Sequence, residues 1–163
     1  MTVNFTTWKG ITDGQTYGIP DREVSRPDDN DSFNTSASFG IRIKSGEDWP
    51  EEFDAEISTN TGNITRAYIY DVSDGSLVSD VDVSSLSSGD IVTFDLGDGQ
   101  LDADQDYNVV ADAEGDTVDY GRFNDPDLPY ESDDGKLSIV DGASGEQDTS
   151  GNVNTFVRVG NLQ

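Results

Sequence analysis

The sequence contains no histidine and no cysteine, and only Lys9, Lys44 and Lys136 are lysines. Without histidine and cysteine, the chain lacks the commonest general base, the thiol nucleophile and the usual ligands of zinc and iron. It has no apolar run near the ~20 residues of a membrane-spanning helix. A basic segment followed by an apolar one, as in a secretory signal peptide, is not visible at its start. We therefore expect neither a thiol or zinc enzyme nor a membrane protein.

Acidic residues dominate the charge: 34 Asp and Glu stand against nine Lys and Arg, and the formal net charge at pH 7 is −25. The acids are spread through strand-like sequence, which favours an acidic folded surface over a solvating tail. This pattern resembles proteins of extreme halophiles, in which concentrated salt screens self-repulsion. Because the basic residues are few and scattered, we expect no binding to nucleic acid or to an anionic membrane.

Alternation of apolar and polar residues with a period of two predicts about nine strands. Asp-Gly at 74–75 and other Gly-rich turns separate them, and helical periodicity is nearly absent. The 163 residues therefore predict one all-β domain, an antiparallel β-sandwich of about eight or nine strands. The predicted strands are ASFGIRI (37–43), FDAEIS (53–58), ITRAYIYD (64–71), LVSDVDV (77–83), DIVTFDL (90–96), DYNVVADAEG (106–115), TVDYGRF (117–123), KLSIVDG (136–142) and NTFVRVGN (154–161).

Residues 1–35 lack this alternation, and we interpret them as an extended N-terminal arm. The arm is expected to dock on its own sandwich or on a neighbouring subunit, and residues 36–163 are expected to form the sandwich. A flexible linker is the alternative, although linkers rarely contain Trp and Ile. The apolar residues assigned to docking are Trp8, Ile11, Tyr17, Ile19 and Val24.

Three aromatic residues are candidates for contact with a ligand or partner. Tyr68 and Tyr70 alternate with Ala67 and Ile69, so they should lie on the second face of their strand. There they could stack on a sugar ring, pack under the arm or lie in a subunit interface. Trp49 precedes a proline in a predicted loop, and it is either an exposed contact or a lid over the edge of the sandwich.

Carboxylates are the remaining chemistry-bearing groups. Asp102, Asp104 and Asp106 have the 1, 3, 5 spacing of a calcium-binding loop, but Tyr107 stands where an EF-hand requires Gly, and Ala113 where it requires Glu. A looser site for a structural divalent cation and a solvated acidic turn are both open interpretations. Paired carboxylates also permit glycoside hydrolysis, but in so acidic a chain such pairs arise by chance. We expect no enzyme activity and no other cofactor.

From Ser36 onward, the order of strand motifs resembles the β-sandwich modules of virion surface proteins, of capsid-turret or tail-fibre type, in tailed viruses of haloarchaea. Those modules are similar to the jelly-roll-like sandwiches of phage adhesion proteins and carbohydrate-binding modules. The arm resembles the segment that precedes such modules. The motifs are ITRAYIYDVSDGSLVSDVDV, GDIVTFDLGDGQLDADQDYNVVADAEG, LPYESDDGKLSIVDGAS and NTFVRVGNL, after TDGQTYGIPDREVSRPDDND in the arm.

The resemblance implies a non-enzymatic structural protein, assembled in the host cytoplasm and displayed on a particle in brine. It implies a symmetric homo-oligomer, a trimer or a pentamer or hexamer, bound to a capsid or tail protein and in contact with the host surface. An adhesion module for host-surface glycans and a carboxylate-based glycoside-active enzyme are the alternatives.

We expect the order of the sandwich to depend on salt. On dialysis from about 3 M to about 0.1 M NaCl, where the Debye length grows to about 10 Å, repulsion among the acids should lower the free energy of unfolding. Circular dichroism in brine should show strand structure, and the signal should diminish on dialysis. Mostly helical structure in brine, or none, would contradict the interpretation.

Overall fold

The computed structural model describes residues 31–34, 38–46, 48, 52–57, 64–87, 89–97, 101–112, 117–120, 122–123, 128–131, 135, 137–149, 153–154 and 156–160. Within these ranges, the secondary structure consists of β-strands joined by turns, with no helix. In chain order the strands are β1 (Asp31–Asn34), β2 (Phe39–Ser45), β3 (Glu52–Ile57), β4 (Arg66–Asp71), β5 (Leu77–Asp82), β6 (Ile91–Asp95), β7 (Asp106–Asp112), β8 (Thr117–Tyr120), β9 (Arg122–Phe123), β10 (Tyr130–Glu131), β11 (Leu137–Ser144), β12 (Asp148–Thr149), β13 (Val153–Asn154) and β14 (Phe156–Gly160).

Two antiparallel sheets form a β-sandwich. The large sheet has the strand order β10-β11-β2-β7-β4-β5, with β12 paired to β11. The small sheet has the order β14-β3-β6, and β1 pairs with β8 and β9 with β13 as separate two-stranded ladders. The prediction of an all-β antiparallel sandwich is therefore confirmed.

The apolar core lies between the two sheets. Ile41, Ile43 and Ile69 of the large sheet and Phe53 and Phe94 of the small sheet belong to one buried cluster. Burial of each such side chain contributes about 1.5–3 kcal/mol relative to exposure. The sequence has no cysteine, so no disulfide contributes to this core.

Each of the nine predicted segments overlaps an observed strand, with ends that differ by a few residues. The segment 117–123 is divided into β8 and β9, which pair with different partners. Strands β10, β12 and β13 were missed because two residues are too few to show alternation. Strand β1 lies at 31–34, inside the predicted arm, and the boundary between arm and sandwich stays a prediction.

The Asp74–Gly75 pair joins β4 to β5, as predicted. The loop spans residues 72–76, and Gly75 adopts a φ of 76°, which favours glycine. Its N–H donates to the Asp71 carbonyl oxygen at 2.8 Å, and the Ser76 N–H donates to Asp74 Oδ1 at 2.8 Å. Local hydrogen bonds of this kind stabilise the turn between the two strands.

A buried amide closes part of the outer face of the large sheet, the face away from the core. Asn108 of β7 is 0% exposed although it points away from the core residues of its strand. Its Oδ1 accepts a hydrogen bond from Arg42 Nε at 2.9 Å. Its Nδ2 faces the carbonyl oxygens of Gly145, Glu146 and Asp148 at 3.1, 3.3 and 3.2 Å. The amide thus holds the β11–β12 turn over the sheet.

Gln147 extends this network to the β4–β5 loop. The side-chain Nε2 of Gln147 donates to the Val72 carbonyl oxygen at 2.8 Å. The main-chain carbonyl oxygen of Gln147 accepts a hydrogen bond from Arg42 Nη2 at 2.5 Å. We call Arg42, Asn108 and Gln147 the polar clamp. The clamp connects β2, β7, the β11–β12 turn and the β4–β5 loop on the outer face.

We expect Asn108→Ala to destabilise the sandwich by about 1–3 kcal/mol, because the substitution removes the hydrogen bonds that this buried amide makes to Arg42 and to the β11–β12 turn. Chemical denaturation in concentrated NaCl measures the change. Gln147→Ala is the control, since this exposed side chain donates a hydrogen bond to the Val72 carbonyl oxygen and its loss should lower the free energy of unfolding less. Equal effects of the two substitutions would contradict a central role for Asn108.

Candidate functional site

Two tyrosines lie side by side on the outer face of the large sheet. Tyr68 and Tyr70 are half-buried, their ring centroids are 5.6 Å apart, and their planes are tilted by 32°. Ala67, which precedes the pair, and Ile69, which lies between the two tyrosines, are buried in the core. The predicted placement of the tyrosines on the second face of their strand is confirmed.

Neighbouring residues of β4 and β5 extend the tyrosine pair. Leu77 is directly opposite Tyr70 and is 52% exposed. Asp80 is opposite Tyr68, and its carboxylate forms an ion pair with the guanidinium of Arg66. We call Arg66, Tyr68, Tyr70, Leu77 and Asp80 the tyrosine surface.

A β-bulge places Leu77 on this surface. The register of β4 and β5 shifts between Ile69, which pairs with Ser79, and Tyr70, which pairs with Leu77. The extra residue, Val78, packs against the core. Simple alternation would have grouped Leu77 with Ser79 and Val81 on the inner face, so the sequence pattern could not identify it.

Carboxylates surround the aromatic rings. Partial burial is the main cause that raises the pKa of Tyr70, and Tyr68, Glu146 and Asp112 raise it further because a tyrosinate would face their negative charges. At the edge strand, hydrogen bonds from Ser84 lower the pKa of Asp82. Asp82, Asp112 and Glu146 thus form an acidic rim beside the tyrosine surface, in which Arg66 is the basic residue.

The basic side chains that the structure describes lie on the same face. They are Arg42 and Lys44 of β2 and Arg66 of β4, each alternating with core residues of its strand. An aromatic pair and the described cations are therefore gathered on one side of a heavily acidic molecule. Aromatic side chains and Arg are the residues enriched at protein–protein interfaces.

The Asp102–Asp106 segment forms a turn that leads into β7. Asp102 and Asp104 are exposed, and Asp106 is half-buried. The Asp102 N–H donates to the phenolic oxygen of Tyr107 at 2.7 Å, and the Asp104 N–H donates to the Ser45 carbonyl oxygen at 2.7 Å. Among the residues described, no group of three or more acidic side chains could hold a metal ion. The divalent-cation site stays a prediction without a geometric counterpart.

One acidic side chain is buried within the described ranges, that of Asp54 on β3. It is 4% exposed, and its Oδ1 accepts a hydrogen bond from Thr93 Oγ1 at 2.6 Å. A carboxylate-based glycosidase requires two carboxyl groups flanking a bond, about 5–9.5 Å apart. Among the described residues, Asp54 is the acidic side chain that is buried, and the enzyme alternative stays a prediction.

Several predicted contact residues lie outside the described residues. Trp49, between described residues 48 and 52, is one of them. The others are the arm residues Trp8, Ile11, Tyr17, Ile19 and Val24. Their assignment to ligand contact and to docking stays a prediction. Of the candidate contact residues, the structure places only Tyr68 and Tyr70.

Comparison with known proteins does not assign this geometry to a family. Comparison of the chain with family profiles, with curated proteins and with solved structures finds no match. In the described ranges there is no apolar helix of membrane-spanning length. The tyrosine surface is therefore the feature from which a function is proposed.

We expect Tyr70 to make the stability of the protein fall at alkaline pH. A phenol whose pKa is raised on folding contributes stability that is complete below its unfolded pKa of about 10 and is lost as pH rises through the folded pKa. In Tyr70→Phe, the free energy of unfolding should decrease less steeply above about pH 10. Denaturation in brine at several pH values measures this slope. An unchanged slope in Tyr70→Phe would contradict the assignment.

Proposed function

We propose that the protein is a non-enzymatic structural protein of a salt-adapted virus, displayed as a homo-oligomer on the capsid or tail. The observation that carries the proposal is the tyrosine surface, a partly exposed aromatic patch on a chain whose formal net charge is −25. Such a patch provides the apolar contact area needed to assemble with another protein, whereas the acidic coat keeps the remaining surface dissociated and hydrated in brine.

The choice of a virion rests on the strand motifs. The motifs that resemble virion surface modules correspond to described strands: ITRAYIYD to β4, DIVTFDL to β6 and DYNVVAD to β7. A compact sandwich with a predicted arm also suits a display protein, because the arm can bind the particle while the sandwich projects.

An adhesion module for host glycans is the second candidate, and the geometry of the tyrosine pair favours it. Tyr68 and Tyr70 present two ring surfaces 5.6 Å between centroids, beside the charged groups of Arg66 and Asp80. Aromatic rings pack on the apolar face of a sugar, while neighbouring charged groups accept or donate hydrogen bonds to its hydroxyls. On a virion, the two candidates combine, since a displayed protein can also attach to the host.

We expect antibodies against this protein to label the surface of virus particles purified in brine from the host culture that produces it. Immunogold electron microscopy shows whether the label lies on the capsid or on the tail, and pre-immune serum is the control. Label that remains entirely with the cell fraction, with none on particles, would contradict display on a virion.

The same protein separates the two candidates in a pull-down on isolated host surface glycans. Adhesion through the tyrosine surface would make binding decrease at least about tenfold in Tyr68→Ala and Tyr70→Ala, as for interface hot spots. Ile91→Ala is the matched control, since Ile91 is an apolar residue of an edge strand in the other sheet and is 36% exposed. Binding that is absent, or that is unchanged in Tyr68→Ala and Tyr70→Ala, would contradict adhesion through the tyrosine surface.

A further inference from the structure

The β11–β12 turn crosses the outer face of the large sheet, and we call residues 145–148 the strap. The strap leaves β11 and passes over β2 and β7, the next two strands of the sheet. At its far side, Gln147 donates a hydrogen bond to the carbonyl oxygen of Val72 in the β4–β5 loop. There the Gln147 side chain lies so near Gly75 that an added Cβ would be 3.2 Å from its Cδ. The strap thus covers part of the sheet next to the tyrosine surface.

Hydrogen bonds, rather than apolar packing, hold the strap on the sheet. Asn108 Nδ2 faces three main-chain carbonyl oxygens of the strap at 3.1–3.3 Å, although an amide has two protons to donate. Arg42 Nη2 donates to a fourth carbonyl oxygen at 2.5 Å. Gly145 is half-buried, the other three strap residues are exposed, and none of the four belongs to the core cluster of the described residues.

Such a segment opens more easily than the sandwich unfolds. Segments with few buried apolar contacts open at a lower free energy than the core of the same protein. When the strap lifts, water can replace the carbonyl oxygens as partners of Asn108 and Arg42. The strands beneath keep their own ladders, because β7 is paired with β2 and β4 independently of the strap. Opening therefore leaves the sandwich intact.

Closure of the strap places carboxylates beside other carboxylates. The strap carries two exposed acidic side chains, those of Glu146 and Asp148. Glu146 and Asp112 of β7 are both close enough to act electrostatically on the same phenol, that of Tyr70. The β4–β5 loop, which the strap contacts, carries the exposed Asp74. Like charges brought together in this way oppose closure.

Salt determines how strongly these charges oppose closure. Exposed charges act on one another over about 10 Å at 0.1 M salt but over only about 3 Å at 1 M. The carbonyl oxygens that hold the strap are uncharged, so screening weakens their hydrogen bonds much less. Concentrated salt therefore favours the closed strap, and dilution favours the open one.

We propose that the strap is a salt-controlled cover, closed in concentrated salt and open at lower salt while the sandwich stays folded. Opening releases the donors of Asn108 and Arg42 that bind the strap when it is closed. Asn108 lies directly opposite Tyr70 in the β4–β7 ladder, so these donors become accessible at the border of the tyrosine surface. Salt concentration thus changes this border whether or not the protein is displayed on a virion.

Proton exchange of the Asn108 side-chain amide measures the opening of the strap in the full chain. The protein is labelled with 15N, and exchange is followed by NMR from brine down to the lowest salt at which circular dichroism still shows intact strands. The two Asn108 Nδ2 protons should exchange at least about tenfold faster at that salt, while the main-chain amides of β7 keep their protection. Exchange of Asn108 that stays constant, or that rises only together with exchange of the β7 amides, overturns the inference.

Neutral variants separate charge repulsion from other effects of salt. Glu146→Gln combined with Asp148→Asn removes both carboxylates of the strap and leaves its main-chain carbonyl groups in place. In this variant the Asn108 protons should exchange at low salt as slowly as in brine. Glu52→Gln combined with Asp95→Asn is the matched control, since it removes the same charge from two exposed positions of the small sheet. The control should open like wild type.

Two results with the variants overturn the inference. One is a folded strap variant in which the Asn108 protons still exchange faster at low salt, as in wild type. The other is a control variant that suppresses this exchange as strongly as the strap variant does, because net charge rather than the strap would then govern opening. Circular dichroism in brine verifies that both variants fold.

Discussion

Strand β7 is buried on both faces, and the large sheet depends on it. It pairs with β2 on one side and with β4 on the other. Tyr107, Val109 and Ala111 fill the core, while Asn108 and Val110 are buried on the outer face. Its contact with β2 is so close that a Cβ at Gly40 would collide with the Val109 carbonyl oxygen. With β7 fixed, the positions of β2, β4 and the edge strand β5 follow.

The double burial of β7 divides the outer face into two regions. Around Asn108, the polar clamp draws the β11–β12 turn over the sheet and closes it to other molecules. Around Tyr68, Tyr70 and Leu77, no equivalent cover exists among the described residues, and apolar area remains accessible. The clamp also orders Gln147 against the β4–β5 loop, next to the accessible region. The hydrogen-bonded region around the polar clamp thus lies beside the accessible region around the tyrosines. This arrangement is suited to a preorganised contact surface.

Acidic charge has one effect over the whole molecular surface and another around the tyrosine surface. Over the molecule as a whole, 34 acidic side chains repel one another and other acidic molecules, so nonspecific association is disfavoured. Any contact must therefore offer apolar area, complementary charge or both. The tyrosine surface offers the apolar area, and its acidic rim restricts partners to those with positive charge or with none.

The sequence by itself determined the class of fold and the strands longer than four residues, because alternation is a local property that each segment carries alone. It also placed Tyr68 and Tyr70 opposite the core, for the same reason. It could not reveal that Leu77 joins them, because the bulge at Val78 reverses the alternation and depends on how β5 fits β4. Nor could it reveal that Asn108 holds a turn almost forty residues away, since such contacts exist only after the sheet has brought distant segments together.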